Sequence, residues 1–337
     1  MELPWTVAAG NASGVVTALA NANIALIKYW GKKDPALNLP AAGSLSLVLD
    51  ALQTTTQVSF IDGPQDELIL DGRPTTGKAF ARMVRFVDLV RAQSGQNQRV
   101  RMVSANEFPT AAGLASSASA FAAMALAVSQ LFGQQLSPRE LSILARRGSG
   151  SAARSVPAGF ARMYAGSQPD GSDAYAENIP DIPLNLYAVI AVASAEPKKV
   201  GSTDGMEHTR LTSPYHSAWL AAVDKDLSVC EDALRKGDID VLAQVVEGNT
   251  LAMHANAMAA RPGIIYFQSP TLWALEQVRA MRAEGTPVFF TVDAGPHLVA
   301  FTLPEHVEWV AARLATHPEI SKIITSGVGL GARLQGA

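Results

Sequence analysis

Three short stretches of the chain carry side chains suited to anions, and one carboxylate stands where it could handle a proton. The first, Asn106-Glu-Phe-Pro-Thr-Ala-Ala-Gly-Leu-Ala-Ser-Ser-Ala-Ser-Ala120, sets small residues and two adjacent hydroxyls directly ahead of an apolar run. The large apolar residues that follow, Leu114, Phe121, Met124, Val128 and Leu131, share one face of a helix that Gly133 stops. First-turn N–H groups of such a helix lack intrahelical partners and carry partial positive charge, which suits a phosphate. Gly113, Ala115 and Ala118 would let it approach, and Ser116 and Ser117 would add hydroxyl donors. An Ala-rich helix start of purely structural use explains the same residues. Neither a Walker A lysine nor a three-glycine dinucleotide fingerprint is present.

The second stretch, Arg146-Arg-Gly-Ser-Gly-Ser-Ala-Ala-Arg-Ser155, joins another Gly/Ser loop to three arginines. Glycines allow successive N–H groups to converge on an anion, and a guanidinium can grip a carboxylate or phosphate with two prongs. A plain flexible connection is the alternative. Two such loops together suggest two anionic ligands, or one ligand with two anionic ends. In the third stretch Lys28 interrupts the apolar Ile24-Ala-Leu-Ile-Lys-Tyr-Trp, where an unpaired ammonium is expensive to desolvate, and Lys32 and Lys33 follow closely. An anionic partner, from protein or ligand, is expected for Lys28 or Lys32. Finally, Asp293 ends an apolar β-type run, and alternation puts it on the side of Thr291 and Phe289. It reads either as a turn-forming aspartate or as a rigidly held catalytic carboxylate.

The elements that must position these residues are legible as a mixture of strands and helices. Extended segments are expected over 15–22 and 24–29, alternating strands over 44–60, a short strand at 68–70 and another over 99–105. Helical spacing marks 78–92. The Ser137-Pro-Arg-Glu140 capping box starts a helix that ends at Gly148. An apolar strand covers 184–194, a polar loop 196–206, helices the stretches through Trp219, 239–260 and 271–283, two strands 286–303, then a helix over 305–316 and a strand at 322–325.

At 337 residues and 48% hydrophobic, the chain can bury one large or two ordinary cores. A net charge of −3 with 17% charged residues gives no bulk attraction to nucleic acid or anionic membranes, so neither is expected as a partner. No apolar run reaches membrane-spanning length, and the interrupted N-terminal residues do not read as a signal peptide. The single Cys230 allows no intrachain disulfide and fits a reducing, cytoplasmic setting. Six scattered histidines lack metal-ligand spacing, so no protein-held metal is expected; His208, His254 and His297 read as surface or satisfied core residues.

Residues 23–34, 108–117, 147–155 and 293–296 closely resemble, in that order, the motifs of the diphosphomevalonate decarboxylase family, within the GHMP kinase superfamily. The similarity runs from about Asn23 to the C-terminal glycines. It implies an α+β, two-lobed fold with the site in the cleft between lobes: residues 1–185 with the loops 106–118 and 146–155, and residues 186–337 with Asp293. It implies a homodimer that uses ATP and Mg2+ to phosphorylate the tertiary 3-hydroxyl of mevalonate 5-diphosphate, then releases phosphate and CO2 to leave isopentenyl diphosphate. Asp293, Arg154 and Lys28 would be catalytic, Asp293 against the 3-hydroxyl and Arg154 on the C1 carboxylate. Tyr29, Lys32, Ser149, Gly150 and Ser151 would hold the rest of the substrate. Asn23, Gly113, Leu114, Ala115, Ser116, Ser117 and Ser202 would serve the nucleotide.

The sequence departs from the family pattern at Ala41-Ala42-Gly43, where an Asn-Ser-Ser run is expected after Leu39-Pro40, at Ala153 for Cys and at His297 for Asn. The first is expected to bear on substrate choice. A phosphomevalonate decarboxylase, a 3-hydroxyl kinase and a non-catalytic phosphate-binding regulator are the competing functions; Asp293, Arg154 and Lys32 argue against the last.

Overall fold

The computed structural model describes residues 14–108, 116–193 and 200–336. Strand β1 (Val15–Ile27) pairs antiparallel with the long β4 (Ser44–Ile61), and between them the small hairpin of β2 (Lys32–Asp34) and β3 (Leu39–Pro40) projects from the sheet. The two extended segments expected before Tyr29 are one strand. Its register shifts between Asn21 and Asn23 and again between Ala25 and Ile27, and such bulges re-aim the side chains that follow.

Strands β5 (Glu67–Leu70) and β6 (Arg73–Pro74), helix α1 (Gly77–Ser94) and strand β7 (Arg99–Asn106) come next. Helices α2 (Ser116–Leu131) and α3 (Pro138–Gly148) follow, then a 3-10 turn at Gly150–Ser155, β8 (Phe160–Met163) and β9 (Ala176–Asn178). The α3 start is as the sequence predicts: Ser137 Oγ accepts from the Glu140 N–H, and the Glu140 carboxylate accepts from the Ser137 N–H at 2.8 Å. A cap of this kind contributes about 1 kcal/mol.

The remaining elements are β10 (Tyr187–Ala193), α4 (Ser202–Thr212), α5 (His216–Lys236), α6 (Ile239–Met258), α7 (Ser269–Ala283), β11 (Val288–Val292), β12 (Leu298–Thr302), α8 (Val307–Leu314), β13 (Ile320–Ser326) and β14 (Arg333–Leu334). The first sheet has the order β14-β1-β4-β7-β5-β6, with β8 added on β4 and β9 on β8; the second is antiparallel, in the order β11-β12-β10-β13. The last strand therefore leaves the C-terminal segment and returns to β1, with Leu334 opposite Ala18. The polar stretch expected as a loop through Met206 is helical from Ser202 onward; its residues 194–199 lie outside the described residues.

Among the described residues, the three largest cores do most to hold this together. Helices α1, α2 and α3 bury Phe86, Phe121, Met124 and Leu144 against the first sheet. Helices α7 and α8 cover the outer face of the second sheet, where Val288, Phe290 and Val292 point. The alternate residues Phe289 and Phe301 point inward, into a shared core with Leu26, Leu47, Trp219 and Leu227. A strand buried on both faces reads as continuously apolar, which is why β11 shows little alternation in sequence. The inward side of β11 is also the side of Thr291, and it leads to Asp293.

Candidate active site

A cleft of about 410 Å³ opens where the end of β1, the 3-10 turn after α3, the start of α2, the start of α4 and the end of β11 converge. Its described lining holds four cations, Lys28, Lys32, Arg82 and Arg154, and a single carboxylate, Asp293. The surplus of positive charge, set beside hydroxyls, is the signature of a site for polyanions.

Lys28 lies one residue beyond β1. Its Nζ donates to Asp293 Oδ1 at 2.5 Å and to the Ala25 carbonyl at 3.1 Å. The lysine is buried and the aspartate 31% exposed to the cleft. Burial lowers the Lys28 pKa, and Asp293 works against that shift. The desolvation cost read from the sequence is thus met by a protein carboxylate.

Arg154 is buried to 3% exposure yet lines the cleft. Its Nε donates to Asn23 Oδ1 (3.2 Å) and Ser46 Oγ (3.1 Å), and Nη1 donates to Ser44 Oγ (2.8 Å). Three neutral acceptors hold the guanidinium in place without neutralising it, and burial pushes its pKa down to about 10. Asn23 in turn donates to the Ser151 carbonyl (3.2 Å) and Ser155 Oγ (2.8 Å). The structure thus ties Asn23, expected on the nucleotide, to the Arg154 side of the cleft.

The Tyr29 ring faces Arg154, with the guanidinium carbon 5.7 Å from its centroid. Its hydroxyl sits so close over Gly150 that a Cβ there would overlap it. This close approach is the physical demand for glycine at 150. Burial raises the Tyr29 pKa, and its hydroxyl finds no hydrogen-bond partner among the described residues. The Gly/Ser loop is a tight turn, not a flexible connection. Ser149 Oγ lies 3.4 Å from both Ser151 Oγ and Ser117 Oγ, so the two sequence-predicted loops meet. Ser116 and Ser117 open α2 with no acidic residue in its first turn; Gly113, Leu114 and Ala115 lie outside the described residues. Across the cleft, Ser202 begins α4 beside Gly201 and Thr203.

Lys32 Nζ donates to Asn38 Oδ1 at 2.7 Å, and Asn38 donates to the Arg147 carbonyl at 2.9 Å. Burial holds the Lys32 pKa below the ordinary lysine value, and the neighbouring Arg82 adds to the effect. Arg82 is a further cleft residue that no sequence motif marks. It projects from α1, donates through Nε and Nη2 to the Gly148 carbonyl (3.1 and 2.8 Å), and packs over Phe121. An arginine on a helix with an otherwise ordinary apolar stripe gives no sequence signal.

Ala41-Ala42-Gly43, expected to bear on substrate choice, is not in the described lining of the cleft, though the Ala41 N–H donates to the Gly31 carbonyl at 3.0 Å, between the lining residues Trp30 and Lys32. Ala42 packs against the shared core, and a Cβ at Gly43 would stand 2.7 Å from Leu227 Cδ1. Small residues there make room for α5. Ala153 is likewise a core residue, packed with Met163 and Ala176. Among the described residues no group of three or more His, Cys, Asp or Glu side chains could hold a metal, and no helix is long and apolar enough to cross a membrane. His208 bonds the Pro262 carbonyl at 2.8 Å, and His254 is buried, as expected of structural histidines.

Two lobes around a cationic cleft, with a hydroxyl-bearing helix start on one wall and a lysine-paired aspartate on the other, define a phosphoryl-transfer protein of the GHMP kinase fold. Residues 20–176 match the diphosphomevalonate decarboxylase-like N-terminal domain, and residues 188–330 the mevalonate 5-diphosphate decarboxylase C-terminal domain. A diphosphomevalonate decarboxylase of Aspergillus fumigatus is 38% identical over 319 residues, 88% of this chain and 79% of the relative. The crystal structure of mevalonate diphosphate decarboxylase from Staphylococcus aureus superposes with TM-score 0.89 at 37% identity, covering 95% of this chain and 97% of that one. A structure described as MDDEF in complex with MVAPP, AMPPCP and magnesium gives TM-score 0.89 at 39% identity, covering 95% and 99%. The chain belongs to the diphosphomevalonate decarboxylase family.

Proposed function

We propose that this protein catalyses the ATP-dependent decarboxylation of mevalonate 5-diphosphate to isopentenyl diphosphate, through phosphorylation of the 3-hydroxyl. The observation that carries this is the convergence of Asp293, paired with Lys28, and a buried, un-neutralised Arg154 on one cleft with two hydroxyl-rich loops. Asp293 receives the 3-hydroxyl, orienting it and taking its proton, while Lys28 fixes the carboxylate. Arg154 holds the C1 carboxylate. Tyr29, Lys32, Ser149, Gly150 and Ser151 take the diphosphate end and backbone of the substrate, and the Tyr29 hydroxyl, without a partner among the described residues, supplies one donor. Ser116, Ser117 and Ser202 face the nucleotide.

Phosphoryl transfer from ATP to the 3-oxygen converts a poor leaving group into a good one. When that phosphate departs, C3 gains positive character, and the C1–C2 bonding pair becomes the new double bond as CO2 leaves. Arg154 therefore orients the carboxylate but must release CO2, a task suited to a guanidinium already held by Ser44, Ser46 and Asn23. Positioning and charge neutralisation account for such transfers without a covalent protein intermediate.

Mg2+ fits this site in the manner of nucleotide enzymes. With one carboxylate in the described lining, the ion would be held chiefly by phosphate oxygens, with hydroxyls of Ser116 or Ser117 in reach, and would neutralise phosphate charge. A homodimer is the proposed assembly, for which the exposed Leu211, Tyr215 and Ile265 offer apolar surface. The buried, unpaired Cys230 supports a cytoplasmic location.

Measuring ADP and CO2 release side by side with mevalonate, its 5-phosphate and its 5-diphosphate tests the function. Stoichiometric release of both with the 5-diphosphate is expected. ADP without CO2 would mean a kinase, and preference for the monophosphate would move the substrate.

A further inference from the structure

The two residues of the ion pair come from opposite ends of the chain, and the peptide links that carry them are both held by helix α6. Lys28 has left the β1 ladder, and its backbone N–H donates to Asn249 Oδ1 at 2.9 Å. Asn249 is 1% exposed, and its Nδ2 donates to Asp226 Oδ2 at 2.7 Å. A carboxylate only accepts and a backbone N–H only donates, so this amide has one workable orientation. Five residues along the same helix, His254 Nε2 lies 3.1 Å from the carbonyl of Val292, the residue before Asp293. Because that carbonyl is an acceptor, the ring must carry its proton on Nε2. The ring is buried, stacked 4.2 Å from Phe267 and edge-on to Tyr266.

Between these two supports, Thr250 Oγ1 and Thr291 Oγ1 are 3.0 Å apart, and Thr291 donates to the Ala25 carbonyl at 3.0 Å. With its proton spent on Ala25, Thr291 must accept from Thr250. The same Ala25 carbonyl receives Lys28 Nζ, which closes the network. Met253 on this face of α6 lines the cleft. One rigid helix thus sets the ends of both strands, and a displacement of either by about 1 Å would be felt at the reacting atoms.

We infer that Asn249 and His254 are positioning residues of the reaction, which set Lys28 and Asp293 in register through the backbone without touching substrate. This rests on Asp293 being the residue at the 3-hydroxyl. The effect is expected chiefly on the chemical step, because Asn249 holds the Lys28 peptide and His254 the Val292 carbonyl, and among the described residues neither side chain hydrogen-bonds to the Gly/Ser loops.

The test is steady-state kinetics on the full chain for His254→Leu, His254→Gln and Asn249→Ser, with thermal unfolding measured on each and Asp293→Asn run alongside. For His254→Leu and Asn249→Ser, kcat is expected to fall at least tenfold, with KM for ATP and for mevalonate 5-diphosphate within about twofold of wild type. Glutamine can offer an N–H to Val292, so His254→Gln should recover most of kcat at a melting temperature like that of the leucine variant. Equal kcat in the leucine and glutamine variants, or a fall in kcat matched by a rise in KM, would overturn the positioning role. Should the leucine variant fail to fold, Asn249→Ser decides by its own split of kcat from KM. An inert Asp293→Asn beside a fully active His254→Leu and Asn249→Ser defeats only this inference, whereas an active Asp293→Asn defeats the role given to the aspartate itself.

Discussion

Lys28 and Asp293 are 265 residues apart in sequence and 2.5 Å apart in space, and the pair is lopsided: the lysine is sealed from solvent while the aspartate reaches the cleft. The exposed partner is the one free to meet a ligand, and the buried partner holds it there. Removing one member of such a pair strands the other, a loss of about 3–5 kcal/mol where burial is complete and less here because Asp293 is part-exposed.

Asp293→Asn keeps the shape of the side chain and removes its charge and basicity. Turnover is expected to fall by about a thousandfold or more, with ATP affinity nearly unchanged because the nucleotide loops are built from other residues. Calorimetric titration with a non-hydrolysable ATP analogue, beside an ADP-release assay, checks both halves. Wild-type ADP release would remove Asp293 from the chemistry.

Arg154→Ala empties a buried position and orphans Ser44, Ser46 and Asn23, so some stability should be lost along with activity. The expected kinetic signature is more specific: CO2 release from mevalonate 5-diphosphate lost by at least a hundredfold in protein that still melts cooperatively. Retained CO2 release at the wild-type rate would exclude the arginine as the carboxylate clamp.

How much of this was legible in advance depended on whether a residue's surroundings were local. The capping box at Ser137, the start of α3 and the strand that leads to Asp293 follow from spacing, because the forces that make them act within a few residues, whereas the start of α4 at Ser202 does not. Lys28 could be flagged from its apolar flanks, though its partner could not, since 265 residues of chain intervene. Arg82 and Asn38 were invisible, because both owe their place in the cleft to where α1 and the β2–β3 hairpin land on the Gly148 end of α3. At Ala41-Ala42-Gly43 the sequence shows a departure from a motif but not its packing reason, since Gly43 answers to Leu227, which is far away in the chain. For His254 the sequence leaves surface and satisfied core both open; the residue is buried, and nothing local signals the carbonyl it holds.

Gly150→Ala tests the contact between the Gly/Ser turn and Tyr29. The added methyl would occupy the space of the Tyr29 hydroxyl, so the ring must swing away or the turn must shift. Either displacement costs about 1–3 kcal/mol, by the usual penalty of overpacking. KM for mevalonate 5-diphosphate should rise at least tenfold while KM for ATP changes far less. Equal changes in both constants would place the turn's influence outside the substrate half of the cleft.

Lys32 gives the site a pH dependence whose sign follows from its burial. The ammonium is the form that attracts a diphosphate, and it exists only below the side chain's pKa. Burial, aided by Arg82, lowers that pKa from the ordinary lysine value of about 10.4, so charge is lost at a pH where an exposed lysine would keep it. The free enzyme should therefore bind mevalonate 5-diphosphate well at neutral pH and lose kcat/KM as pH rises through the lowered value, approaching tenfold per unit beyond it. Lys28 is lowered as well, but it faces Asp293, so its titration should be felt mainly in kcat. Lys32→Arg separates the two, because an arginine at this position keeps its charge to a higher pH than a lysine. In that variant the alkaline fall in substrate affinity should move to higher pH while any alkaline fall in kcat stays where it was. A KM profile for the substrate that is unchanged by Lys32→Arg would mean that the diphosphate is held by other groups.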